Sequence, residues 1–366
     1  MSLPMSHHSA PLAARLGRSQ CFSVAGLFVL IPLGLAGFSA QAVAQDEARI
    51  VELEIAVANM QSGDHQAWAE LLSDAGADTV RMKGAGRGAE PSVAEEKVAG
   101  RVHVLLRGVL RGDNRLALPG GVFGRGEVAG IRELVARYRA DGAHTTLAEK
   151  VAFGLTPEQL VELSERLAWV VDTPTLQQPI GEAVQTIAAR TGVTLEIGRD
   201  LRLSLAEAGN VLDELQGLSA GTAMAAALRP AGLVLVPTRP VGGDVQLQLR
   251  RSGDAPEFWP VGWPPQTSPL DAAPAMYERL AVQINNTPLL EAVAAIQNRT
   301  GVPMLFDHNS LALKEIDLAE RHVTLNQGKD TYYSIVRELL RQGKPKMRLE
   351  IRQDEALRPF VWISPQ

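Results

Sequence analysis

The sequence predicts an α+β protein in which an N-terminal α+β domain precedes two small βαββαβ modules, each a sheet with two helices on one face. An internal repeat and a strand, helix, strand order within each copy carry this prediction. The composition agrees: 366 residues, 46% hydrophobic and 21% charged, suit several separate cores. The expected divisions are a signal peptide (1–44), the N-terminal domain (46–150), the first module (165–250), a linker (251–276) and the second module (277–366).

The first 44 residues have the pattern of a secretory signal peptide. Arg15 and Arg18 precede an apolar run over 21–38, and the small residues Ala42 and Ala44 follow. We therefore expect cleavage near Ala44 and a periplasmic or secreted protein. The alternative is an uncleaved anchor, because the run approaches the roughly 20 residues that span a bilayer. Membrane association is expected only in that case.

The net charge and the single cysteine argue against several classes of function. Cys21 is the only cysteine and lies in the signal segment, so the exported chain would have no disulfide, thiolate metal site or cysteine nucleophile. Losing Arg15 and Arg18 takes the formal net charge from −5 to −7. An acidic chain does not attract phosphate backbones, and we expect no nucleic-acid partner.

The N-terminal domain shows no repeat. Helices are predicted over 50–60, 65–72 and 127–139, a strand over 79–82, and a hairpin of 102–110 with 115–118. Gly112-Asp113-Asn114 predicts the hairpin turn. Thr156-Pro157-Glu158-Gln159 predicts a capping box that opens a helix just before the first module.

The strongest pattern is the repeat. Residues 178–193 align without gaps on 287–302, a shift of 109, and nine of the sixteen pairs are identical. Pro179 and Pro288 suit the first position of a helix. Gly192 and Gly301 suit the left-handed turn that ends one. Strands are predicted in the first copy at 167–171, 193–197, 212–215 and 233–236, and in the second at 280–284, 302–306, 323–325, 347–351 and 360–363; the second helices are predicted at 222–228 and 331–341.

This order of elements, with its Pro-x-x-Glu-Ala helix and Thr-Gly strand, resembles the short N-terminal domain of secretins and TonB-dependent receptors. The resemblance covers about 167–250 and 277–364. It implies an envelope-associated interaction module without catalytic residues. The whole arrangement also resembles secreted planctomycete proteins, which implies no mechanism.

The linker is unusually apolar. Between 256 and 274 it has six prolines, and Phe258, Trp259 and Trp263 are interleaved with them. A solvated tether would expose a large apolar area, so we expect the linker to pack into a groove between the modules. The functional alternative is that these aromatic residues contact a partner.

Several motifs suggest chemistry. Gly217-Leu218-Ser219-Ala220-Gly221 matches the nucleophile elbow of hydrolases. That elbow needs a large sheet with an Asp and a His alongside, and the second copy has no serine there. We therefore predict that Ser219 is a helix cap.

The glycine-rich stretches 84–88 and 120–124 lack the Lys-Ser or Lys-Thr pair of a phosphate loop and are predicted turns, although the second leaves open a small anion at the helix start. Arg111-Gly112-Asp113 is predicted to be only a turn. The acid pairs 95–96 and 354–355 are expected in solvated turns. No metal-ligand spacing joins the histidines at 65, 103, 144, 308 and 322. We thus expect no catalytic residue, metal or cofactor.

Two functions compete. The leading hypothesis is a non-enzymatic module that binds an envelope or periplasmic protein, by strand addition at a sheet edge or by docking a peptide between modules. The alternative is a small-ligand binder or hydrolase with a site between the N-terminal domain and the modules, lined by polar groups such as Arg190, Arg299 and Asp307. Arg190 and Arg299 are otherwise expected to end helices. The oligomeric state stays open.

Overall fold

The computed structural model describes residues 49–57, 64–86, 88–342 and 346–366. The predicted signal peptide and its cleavage point at Ala44 lie outside these residues. The described chain is α+β, as predicted. None of the helices in the described ranges is long and apolar enough to cross a membrane.

The N-terminal domain is one sheet with two helices. Its elements are β1 (Ile50–Val57), α1 (Asp64–Asp74), β2 (Thr79–Gly84), β3 (Ser92–Val98), β4 (Arg101–Leu110), β5 (Leu116–Leu118), β6 (Gly121–Phe123) and α2 (Val128–Leu147). The strand order is β2-β1-β4-β5-β6, and β3 also pairs with β4. β1 runs parallel to both β2 and β4. The hairpin of β4 and β5 forms where it was predicted.

The helix predicted over 50–60 is wrong where the structure describes it, because Ile50–Val57 is the strand β1. Val51, Leu53 and Ile55 are fully buried, while Glu52 and Glu54 between them are partly exposed. That alternation has the period of a strand. The glutamates favour a helix locally, but pairing with two parallel neighbours decides the outcome.

The acid pair at 95–96 was also predicted wrongly. Both residues lie in β3 rather than in a turn. The Glu95 carboxylate accepts a hydrogen bond of 2.6 Å from the backbone N–H of Ala143. This contact ties the strand to α2 near Gly142, where the helix departs from helical geometry.

A capped helix, α3 (Pro157–Leu167), leads into the first module. The Thr156 hydroxyl accepts from the backbone N–H of Gln159, and the Gln159 side chain accepts from the Thr156 N–H at 3.0 Å. The predicted capping box is therefore confirmed.

The modules share a series of helices and sheet strands, and the second adds the strands Arg279–Pro288 and His322–Thr331. The first contains α4 (Ile180–Thr191), β7 (Leu195–Glu196), α5 (Arg199–Ala206), α6 (Ala220–Leu228), β8 (Leu233–Thr238) and β9 (Gln246–Arg251). The linker holds the short helix α7 (Pro269–Ala272). The second module contains β10 (Arg279–Pro288), α8 (Leu289–Thr300), β11 (Met304–Phe306), α9 (His308–Leu313), β12 (His322–Thr331), α10 (Tyr332–Gln342), β13 (Met347–Gln353) and β14 (Pro359–Pro365).

Sheet order and register match between the two copies. The orders are β7-β9-β8 and β11-β14-β13, with the first pair parallel and the second antiparallel in each. Leu195 pairs with Leu247 as Met304 pairs with Val361. Both helices α4 and α8 end at a left-handed glycine, Gly192 and Gly301, as predicted.

The modules differ from the prediction in several ways. The strand expected at 167–171 does not form, because Leu167 ends α3 and only Val170 makes an isolated bridge, whereas β9 was not predicted. Each has an extra helix, α5 or α9, after its first sheet strand. The strand expected at 212–215 does not form. Only the isolated bridges Val170↔Ser219 and Pro179↔Asn210 stand where the second module has the continuous antiparallel ribbon of β10 and β12.

The second module's sheet is buried on both faces. Phe306, Val361 and Ile363 belong to a core with α8 and α10. Leu305, Phe360 and Trp362 belong to the core of the first module. The sheet of the second module therefore belongs to both cores, and the two modules pack directly against each other.

Candidate functional site

The linker aromatics pack onto the protein itself. Trp259 is only 2% exposed and lies in the first core, and its backbone N–H donates to the Leu235 carbonyl of β8 at 2.7 Å. Trp263 is half-buried, meets Trp259 edge-on at 5.1 Å, and exchanges two backbone hydrogen bonds with Gln353 of β13. Phe258 is half-buried. The expected packing is confirmed. The ring of Trp259 is enclosed and has little surface left for a partner, while partner contact by Phe258 and Trp263 stays a prediction.

Under the linker, a buried polar cluster joins α6 to the β13–β14 turn. The Asp354 carboxylate, in a residue 1% exposed, accepts from the Ser219 N–H at 2.8 Å and from the Arg358 guanidinium. The Ser219 hydroxyl accepts from Arg358 at 2.9 Å and from the Ala356 N–H at 3.2 Å. The expectation of a solvated pair at 354–355 is thus wrong.

Ser219 stands at the N-cap of α6, but its hydroxyl makes no capping hydrogen bond. The predicted position is confirmed and the predicted role of its side chain is wrong. The residue has no exposed surface, and its Oγ contacts Arg358 and Ala356 rather than a histidine. A nucleophile enclosed in this way does not meet a substrate.

Glu355 places a carboxylate against the start of α6. It accepts from the Trp259 indole N–H at 2.7 Å and from the Thr222 hydroxyl at 2.9 Å. Burial raises the pKa of Glu355 to about 7, and these hydrogen bonds only partly offset it. Gly221 makes the approach feasible, since a Cβ there would collide with the Glu355 carboxylate and lie 2.7 Å from Trp259 Nε1.

A second set of charges closes the other side of the junction. Arg229, at the end of α6, donates to both oxygens of Asp307 at 2.9 and 3.1 Å. Burial alone would raise the pKa of Asp307, but hydrogen bonds from Arg229 and Ser310 outweigh it and lower that pKa below its usual value. Asp213 accepts from the Phe306 N–H at 2.9 Å. Docking of a peptide between the modules therefore has no open space at these contacts.

The other motifs have structural roles. The Glu127 carboxylate accepts from the Gly124 N–H at 2.6 Å and makes no capping hydrogen bond to α2, so the small anion considered at the helix start stays a prediction. The Arg111-Gly112-Asp113 stretch is the exposed hairpin tip. Among the described residues no group of His, Cys, Asp or Glu has the arrangement of a metal site.

An open groove lies along the edge of β10. Its volume is about 250 Å³, and its walls come from β10 and α8 with Tyr332 and Ile335 of α10. Residues from both faces of the strand line it, half-buried Val282 and Ile284 and exposed Gln283 among them. No residue of β12 does, so the groove borders the edge of β10 opposite its partner strand.

Within the described chain, that edge of β10 pairs with no strand, since the ribbon contains only β10 and β12. Backbone N–H and C=O groups along such an edge are open to another strand. The helix wall presents Glu291, Ala295 and Arg299, spaced four residues apart on one side of α8. Neither the Glu291 nor the Arg299 side chain has a hydrogen-bond or ion-pair partner in the described part of the protein.

The first module does not reproduce this groove, although Glu182 and Arg190 repeat the two charges of α8. In the first module, the segment before α4 forms no continuous pairing with a neighbouring strand of the kind that β10 makes with β12. The Glu214 carboxylate accepts from the Thr175 N–H and hydroxyl, both at 2.9 Å, and from the Leu176 N–H at 3.4 Å. The Glu214 side chain therefore takes the backbone N–H groups that an added strand would need there.

The polar trio suggested for a ligand pocket does not assemble. Arg299 lines the groove beside β10, which includes neither Arg190 nor Asp307. Asp307 is taken by Arg229 and Ser310. Arg190 and Arg299 do lie in the last turns of their helices, as expected. The groove itself was missed, and its only sequence signal is the pair of charges that flank Ala295.

No protein-family model matches the chain, and neither the curated proteins nor the solved structures contain a match. The resemblance to the secretin and TonB-dependent-receptor short domain therefore stays a prediction.

Proposed function

We propose that this chain is an exported, non-enzymatic protein that binds an extended segment of an envelope or periplasmic protein by strand addition to β10. One observation carries the proposal: a free strand edge faces an open groove whose other wall is a helix. An added strand would take main-chain hydrogen bonds from β10 while alternate side chains enter the groove. The apolar floor of Val282, Ile284 and Ile335 would cover those side chains.

The shape of the rest of the protein supports this location. The junction between modules is filled by Trp259 and by the ion pairs around Asp354 and Asp307. Two other sheet edges are partly occupied by the linker, which hydrogen-bonds to Leu235 of β8 and to Gln353 of β13. Along the groove, β10 has no comparable cover in the described residues.

Displayed random peptides of about 12 residues, long enough to follow the strand, test the proposal. We expect the purified protein to enrich a set of peptides whose binding slows hydrogen exchange at backbone amides of β10. Substituting Ala295→Arg would fill the groove and weaken binding by about ten-fold or more.

Ala294→Arg is the matched control. Ala294 is equally exposed on α8 but does not line the groove. Both variants should keep the circular dichroism and thermal midpoint of the parent. Enriched peptides that bind the Ala295→Arg variant as well as the parent, or a selection that enriches no peptide, would refute strand addition at this site.

The sequence also allowed a ligand binder or hydrolase with a site beside the N-terminal domain. At that boundary Asp141, nearly buried, accepts from Arg239 at 2.8 Å and from the Gly242 N–H at 3.2 Å. These contacts join the domain to the first module. Because no observation on the described residues favours the second function, we propose only the first.

A further inference from the structure

The two free charges on the groove wall define which segment fits. Glu291 and Arg299 are eight residues apart on α8, which corresponds to about 12 Å along a helix. In an extended peptide, residues i and i+4 point to the same side and lie about 13.6 Å apart. Two peptide side chains four residues apart therefore match the spacing of the two helix charges.

Ala295, between the two charged residues of α8, determines which peptide side chain fits at the middle position. Ala295 lies midway between the two charges and its side chain is only a methyl group, which leaves room for a side chain of the peptide. The peptide residue at i+2 faces this point, opposite the apolar side chains of Val282 and Ile284. An apolar side chain at i+2 would bury its surface, whereas a charge would lose its hydration without a partner.

The direction of the peptide follows from the chain path. α8 begins directly after β10 and folds back along it, so Glu291 lies near the Thr287 end of the strand and Arg299 near the Leu280 end. Antiparallel pairing is slightly more stable per residue than parallel pairing. An antiparallel strand would run from Glu291 toward Arg299.

Resting on the proposed strand addition, we infer that the groove selects segments of the form basic–x–apolar–x–acidic, added antiparallel to β10. The basic side chain pairs with Glu291, the apolar one packs against Ala295, and the acidic one pairs with Arg299. A partner carries this pattern in an extended or unfolded segment, because a strand already within a sheet offers no free edge.

Three synthetic peptides with the same flanking threonines test the pattern: Lys-Thr-Val-Thr-Glu, the reversed Glu-Thr-Val-Thr-Lys, and a neutral Gln-Thr-Val-Thr-Gln. Titrations followed by NMR should show that the first binds about three- to ten-fold more tightly than the neutral peptide, the range expected for two exposed ion pairs. The gain should shrink at high salt.

A double variant, Glu291→Lys with Arg299→Glu, should transfer the preference to the reversed peptide while neutral binding stays unchanged. Glu182→Lys with Arg190→Glu is the matched control at the corresponding positions of the first module and should alter nothing. A nitroxide on the peptide N-terminus should broaden resonances near Thr287 rather than near Leu280.

The outcomes separate the two proposals. If all three peptides bind equally and the Ala295→Arg variant binds none of them, strand addition stands and the charge pattern is wrong. Broadening near Leu280 would overturn the antiparallel direction. If none of these peptides binds and the random library also enriches nothing, the proposed function fails together with the pattern.

Discussion

Replacing Glu355 with glutamine removes an ionisable group from the junction while keeping its size. In the folded protein burial raises the pKa of this carboxyl from 4.5 to about 7. The folded state therefore holds the proton more tightly than the unfolded chain, and the wild type loses stability as the pH rises from the unfolded value to the folded one. Below the unfolded value both states are protonated and the group contributes nothing.

The magnitude follows from the shift. One pKa unit corresponds to about 1.4 kcal/mol, so a rise of this size costs the wild type about 3 kcal/mol by about pH 8. A glutamine does not titrate, and its oxygen still accepts from the Trp259 indole. The Glu355→Gln variant should thus resemble the wild type near pH 4 and be more stable by about 3 kcal/mol near pH 8.

Urea unfolding measured from about pH 4 to about pH 8 checks this, with tryptophan fluorescence as the probe because Trp259 and Trp362 lie at the junction. Glu162→Gln, which removes an exposed carboxylate from α3, should leave the pH profile of the wild type unchanged. A stability difference between the Glu355→Gln variant and the wild type that stays constant with pH would refute the reasoning.

Three substitutions probe the same junction by denaturation. Gly221→Ala should cost about 2–3 kcal/mol because its methyl group displaces the Glu355 carboxylate, while Gly112→Ala, with no atom nearby, should cost less than about 0.5. Arg229→Ala should cost about 2–3 kcal/mol by leaving buried Asp307 unpaired, and a double-mutant cycle with Asp307→Asn should show strong coupling. Ser219→Ala should cost about 1–3 kcal/mol because Arg358 loses an acceptor; a variant as stable as the parent would contradict these contacts.

The repeat shows which features of the fold can be predicted from local sequence patterns. Pro179 and Gly192 bound α4, and Pro288 and Gly301 bound α8, with one residue of difference at each start because the prolines lie at the N-cap. Helical periodicity and the residues that begin and end a helix are local properties of the chain, so they can be predicted from the sequence alone. The matching strand registers follow, because each helix must bury its apolar stripe on the same side of its sheet.

The contacts at the junction between the two modules could not be predicted from local sequence patterns. Asp354 and Glu355 follow a strand and stand in a turn, as expected, and two acids in a turn are usually solvated. Their burial comes from contacts with Ser219 and Thr222, more than 130 residues earlier in the chain. No periodicity records that kind of contact. The groove was missed for the same reason, since an edge exists only once all strand partners are placed.

Divergence of the two copies explains why, in the described part of the chain, only the second has an unpaired strand edge beside the repeated helix. Both keep a glutamate and an arginine eight residues apart on the equivalent helix, Glu182 with Arg190 and Glu291 with Arg299. In the first copy Glu214 accepts from backbone N–H groups beside that helix, so they are no longer open to an incoming strand. In the second, β10 keeps a ladder with β12 and leaves its other edge open. In the first copy α6, together with Trp259 of the linker, packs instead in one core with Leu305, Phe360 and Trp362 of the second copy's sheet.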